Sequence, residues 1–90
     1  EGILVVALRV NKGDGRVLER PKIISRGFVF AKRQQGFLDR VSEKIFNELK
    51  NKGLKGDHGL VKDAVVGFLE EYLFTETGRR PMILPVVVEV

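Results

Sequence analysis

Cysteine is absent from this chain of 90 residues, and histidine occurs once, at His58. Without cysteine there is neither a disulfide framework nor a thiolate metal site, which fits a reducing compartment and makes the cytoplasm the default location. A single histidine excludes a multi-histidine zinc site or a histidine pair built within one chain. His58 stands beside Asp57 in a glycine-rich linker, where a solvated loop residue is expected. Long apolar runs are lacking too. The longest, Ile3 to Leu8, is far too short to span a bilayer, and Glu1 stands where a secretory signal would need a basic stretch. Internal repeats and long polar tracts are also missing, so the expected class is globular and no membrane partner is expected.

The common catalytic constellations are missing as well. "KGDG" and "KGLKG" are glycine-rich but match neither GxxxxGK[ST] nor GxGxxG, so no nucleotide-binding loop is expected. Acidic side chains are spread along helix faces as i, i+4 partners of lysine, as Glu48 is to Lys52, which is the pattern of a solvated face. No catalytic residue, metal ligand or cofactor site is assigned to this chain.

What the chain does have is a small core and a basic balance. Hydrophobic residues make up 43% and charged residues 31%. At this size folding hides roughly 64% of the unfolded surface. Sixteen Lys and Arg against twelve Asp and Glu give a net charge of +4. Such an excess permits contact with phosphate backbones without requiring it.

"ILVVALRV" is an apolar run rich in β-branched residues that stops at "NKGDG", whose Asn, Asp and Gly supply turn chemistry. A hairpin follows, with "RVLERPKIIS" as the returning strand, weakened at Pro21 and therefore placed at an edge. From Gly36 the period changes: Leu38, Val41, Ile45 and Leu49 line one helix face, widened by Phe46, with Gly53 as the stop. A second helix carries Val61, Ala64, Val65, Phe68, Leu69, Tyr72 and Leu73 on one side, with Asp57 as N-cap and Gly78 and Pro81 ending it. Gly67, inside that helix, predicts a close approach by a neighbouring element. "MILPVVVEV" reads as a last strand buried on both faces.

The element order predicts an α+β domain, strand-strand-helix-helix-strand, with both helices packed on one face of a three-stranded sheet. The last strand then runs antiparallel to the second and parallel to the first. One sheet face is left over. If Leu4, Val6, Leu8 and Val10 meet the helices, Ile3, Val5 and Ala7 face away, joined by Ile83 and Val87 or by the alternate set Leu84, Val86 and Val88. A surplus apolar face of this kind predicts contact with a second copy or another domain, unless the strands twist or the long hairpin folds over it. The alternative is RNA, with Arg16, Arg20, Lys22 and Arg26 on the second strand and Lys32 and Arg33 after it as the candidate contacts; Arg79 and Arg80 form a further basic cluster before the last strand. Phe28 and Phe30 stand nearby for base stacking.

Two stretches carry a family resemblance. "DGRVLERPKIISRGFVF", followed after the two helical blocks by "RRPMILPVVVEV", resembles the C-terminal domain of the ribonuclease J family over about Ile3 to Val90. The resemblance implies that residues 1–90 are a single accessory domain. Its parent would be a metal-dependent ribonuclease, a hydrolase with a metallo-β-lactamase domain and an inserted β-CASP domain, both absent from this chain. Family members degrade and mature RNA, working from a 5′ end and sometimes cutting internally. Their metal, zinc or another divalent ion, is held by histidine and aspartate in the lactamase part. The resemblance further implies self-association or docking on the parent's catalytic body, with a chloroplast origin left open because a transit peptide would lie upstream. The lysine-rich "KNKGLKGDHG" matches no family function.

Within "IISRGFVF", Gly27 is expected to supply a bulge or a positive φ that Ser25 or Arg26 could not adopt cheaply. Ser25 would then bond to nearby main chain, and Arg26 would project toward a partner carboxylate or an RNA phosphate.

Overall fold

Alternation in β1 (Ile3–Val10) sets the architecture. Leu4, Val6, Leu8 and Val10 are fully buried, while the residues between them are exposed or half-buried. A computed structural model describes residues 2–27, 34–52 and 58–90, so the expected roles of Phe28, Phe30, Lys32, Arg33, Gly53 and Asp57 lie outside the described residues. After β1 come β2 (Lys22–Arg26), α1 (Gln34–Lys52), α2 (His58–Thr77) and β3 (Met82–Glu89). The sheet order is β2-β1-β3, with β1 antiparallel to β2 and parallel to β3. This is the expected α+β arrangement, and a parallel β1–β3 pair requires the long connection that the helices provide.

Both helices lie against one face of the sheet. Leu38, Val41, Ile45 and Leu49 of α1 and Val61, Val65, Leu69 and Leu73 of α2 close over Leu4, Val6 and Leu8 as one cluster. Burying a side chain of this size is worth about 1.5–3 kcal/mol, so this shared layer is the main stabilising element. Ser42, buried on the same face of α1, donates its hydroxyl to the carbonyl of Pro21 and thereby ties α1 to the entry of β2. Gly78, at φ 72°, ends α2 in the left-handed conformation and donates its N–H to Phe74 O at 2.8 Å.

Four expectations need correction. The returning strand is not continuous: Val17 bridges Val10, but three residues back along β1, Ala7 faces Lys22, five residues further on. Two extra residues therefore bulge out between Val17 and Lys22, where Pro21 cannot donate to a ladder. An even insertion keeps Val17 and Ile23 on the same face, and both pack on the core. β3 is not buried on both faces but forms an edge with one face open. Gly67 has no close neighbour among the described residues; a Cβ there would meet none of them within 4 Å. His58 is not a loop residue. It opens α2, and its Nε2 lies 3.2 Å from Glu89 at the end of β3.

Candidate interaction surface

Register decides which side chains share the face that the helices leave uncovered. Neighbours across the ladder point the same way, so Ile3 stands between Arg26 and Met82, Val5 between Ile24 and Leu84, and Ala7 between Lys22 and Val86. Met82, Leu84, Val86 and Val88 are 61, 47, 40 and 45% exposed, and Ile3 and Ile24 are 38 and 36% exposed. The uncovered face is apolar along β3 and along β1 from Ile3 to Ala7; it carries two cations on β2, and at its far end Arg9, beside Val88, is paired with Glu19 at 3.0 Å. Ile83 and Val87, expected on this face, belong to the other one. They pair with the buried Leu4 and Leu8 and pack against the core, so the alternate set Leu84, Val86 and Val88 takes their place beside Ile3, Val5 and Ala7.

The two edges of the sheet are poorly suited to adding another strand. Met82 and Val90 donate their N–H groups inward, to Gly2 O at 2.9 Å and Val10 O at 3.0 Å. Even-numbered residues of β3 therefore point their N–H toward β1, and Pro85, which has none, turns its nitrogen to the open edge. On the opposite side β2 is only five residues long, with Pro21 before it and Lys22 and Arg26 at its ends. Prolines and cations at short edges discourage strand pairing.

The expected basic contacts do not form one patch. Arg16 lies in the β1–β2 turn, its guanidinium 3.1 Å from Asp14. Arg26 sits opposite Ile3 at the far end of the hairpin, about 23 Å away for seven residues of strand. Its Nη1 donates to Ser25 O at 3.0 Å. Arg20 is exposed in the bulged segment, and Lys22 starts β2. Ser25 is half-buried and lies opposite Leu4. Gly27 follows β2 with φ 68°. An added Cβ there would approach Gly2 Cα to 3.6 Å, and the positive φ is the constraint that favours glycine. Arg80, from the segment before β3, lines the same cleft as Arg26.

A further cluster escaped the sequence reading. Phe37 of α1 stacks on Tyr72 of α2, centroids 6.3 Å apart, and Tyr72 stacks on Phe68 at 5.6 Å. Arg40 and Lys44 lie over Phe37 and Tyr72 at 5.8 and 6.0 Å. The i, i+4 spacing of Phe68 and Tyr72 was the available signal, but Phe37 joins only through packing of the two helices. Desolvation raises the Tyr72 pKa above the usual phenol value; Glu76 adds to the rise and Arg40 opposes it.

Among the described residues no group of three or more His, Cys, Asp or Glu is arranged to hold a metal ion, and no helix is long and apolar enough to cross a membrane. The sequence profile of the ribonuclease J C-terminal domain matches residues 1–90. The chain belongs to that family. It is similar to ribonuclease J 2 of Streptococcus pyogenes serotype M3, 40% identical over all of this chain and 17% of the relative. Ribonuclease J2 of Bacillus subtilis is 28% identical, over all of this chain and 17% of its own length. Ribonuclease J 2 of Staphylococcus saprophyticus is 30% identical, over all of this chain and 16% of that protein. This ribonuclease J C-terminal domain thus spans about one sixth of the curated relatives it matches.

Proposed function

We propose that this chain is the non-catalytic assembly module of a ribonuclease J-type protein and that its uncovered sheet face meets a second copy of itself. The observation that carries this reading is the apolar face of Ile3, Val5 and Ala7 with Leu84, Val86 and Val88, left open while both sheet edges are guarded. Its exposed side chains present on the order of 500 Å² of apolar surface, toward the upper end of what a monomer leaves in water. A standard interface takes about 800 Å² per partner, which the half-buried residues and the stems of Lys22 and Arg26 would help to supply.

Nuclease activity on RNA, exonucleolytic from a 5′ end or internal, would belong to the rest of the parent, together with any zinc or other divalent metal. The donor set here, one histidine and no cysteine, does not fit such a metal. The cytoplasm is the proposed compartment. Sedimentation velocity of the 90-residue chain across a wide concentration range, at low and high salt, tests the reading. A dimer that resists salt supports an apolar contact between copies. A monomer at every concentration overturns it and leaves docking on the parent's catalytic body as the use of this face.

A further inference from the structure

At one end of the sheet, the start of β1, the end of β2, Glu70 of α2 and the entry to β3 border a shallow, open cleft of about 840 Å³. Two glycines with positive φ, Gly2 at 89° and Gly27 at 68°, lie on its wall, so the main chain there carries no side chain to hold a ligand off. Arg26 comes from β2 and Arg80 from the segment after α2, more than fifty residues apart in sequence. Arg80 stands over the Phe74 ring, its guanidinium carbon 4.1 Å from the centroid. Stacking of this kind holds the guanidinium by its face and leaves its N–H groups to bond in the plane, the geometry that suits a phosphate. Arg26 donates one N–H to Ser25 O and keeps others. Among the described residues, Glu70 is the single carboxylate of the lining, against two guanidiniums.

We infer that this cleft binds a backbone phosphate of a single-stranded nucleic acid, held between Arg26 and Arg80. Single strands fit better than duplex because Phe74 and Met82, both well exposed, border the arginines and offer unstacked bases an apolar surface. The site shares Ile3, Arg26 and Met82 with the end row of the uncovered face, while Arg80 and Glu70 stand outside the ladder, so a contact between copies would compete with a ligand for that row.

Fluorescence anisotropy of labelled dodecauridylate tests it, with the 90-residue chain at low salt and on a Val86→Glu background, so that loss of assembly and loss of RNA binding are read separately. Arg26→Gln and Arg80→Gln should each weaken binding about five- to tenfold and flatten the salt dependence by about 0.7 in slope. Glu70→Gln should tighten binding. Lys62→Gln, the same loss of charge at an exposed position on α2 outside the cleft, should change affinity less than twofold. Equal losses in the arginine and Lys62 variants would overturn the proposal, since they would show only bulk charge. So would undetectable RNA binding, including the case in which inorganic phosphate alone shifts the Gly2 and Gly27 amide resonances.

Discussion

Replacing Val86 by glutamate separates the two faces of β3. Val86 sits in the middle of the uncovered face beside Ala7, at 40% exposure in the single chain. Its loss from a contact between copies removes on the order of 1 kcal/mol of apolar burial per chain. A carboxylate pressed against an apolar sheet without a partner adds at least as much again. In a two-fold contact each substitution is counted twice. The total is about 4 kcal/mol or more, a rise in the dimer dissociation constant of roughly a thousandfold.

The same change should leave the fold standing, because the side chain points away from the helices and only strand preference is lost, within about 1 kcal/mol. Circular dichroism and the thermal midpoint check that part; sedimentation velocity checks the association. One residue further on, Val87 packs against the core, and Val87→Glu should instead unfold the chain. The reasoning fails if Val86→Glu and Leu84→Glu chains associate as the parent does, or if Val87→Glu stays as stable as Val86→Glu.

Gly67→Ala should raise stability by about 1 kcal/mol, because the site is helical and a Cβ meets nothing, and the thermal midpoint should climb several degrees; an unchanged or lower midpoint contradicts the geometry. Ser42→Ala removes the hydroxyl that reaches Pro21 O and should cost about 1 kcal/mol in urea unfolding, whereas a neutral result would mean the tie between α1 and β2 carries no weight. Tyr72 is the only tyrosine and there is no tryptophan, so phenolate absorbance reports one residue. Its midpoint should lie above that of the unfolded chain, because burial favours the neutral phenol, with Glu76 helping and Arg40 opposing. The unfolded chain then loses its proton first as pH rises from about 10, so the associated stability is full below that value and is lost through the folded midpoint. A folded midpoint at or below the unfolded one would contradict the half-buried setting of the ring.

Much of the fold was legible because periodicity survives in the folded state. The three-to-four spacing of Leu38, Val41, Ile45 and Leu49 and the alternation of Leu4, Val6, Leu8 and Val10 each name one face, and those faces meet in the core. β3 was harder for a physical reason. "MILPVVVEV" is apolar at almost every position, so nothing in it separates inside from outside, and only the pairing of Leu4 with Ile83 assigns the even-numbered residues to the open side. The bulge between Val17 and Lys22 was hidden in the same way, since a two-residue offset preserves the face pattern and leaves Pro21 as the only trace. Arg26, at the end of β2, and Arg80, just before β3, share a cleft only because both strands pair with β1, a long-range fact that local spacing does not carry.

The pattern of guarded edges and an unguarded face limits the kind of association this domain supports. Strand addition draws its strength from main-chain groups, and here Pro85 empties one edge at its centre while the other is short and charged. Face-to-face packing draws instead on side chains, and three successive rows across the sheet offer at least two apolar ones each, Ile3 with Met82, Val5 with Leu84 and Ala7 with Val86. A contact of that kind tolerates the twist of each sheet and closes on itself in a pair, whereas edge pairing can continue from chain to chain. Substituting Pro85 by threonine should therefore matter in a way that its position away from the face does not suggest. It restores an outward N–H in the middle of a long apolar edge, and open-ended association should appear alongside any pair. Light scattering that stays at the level of the parent chain would show that the edge needs no such guard.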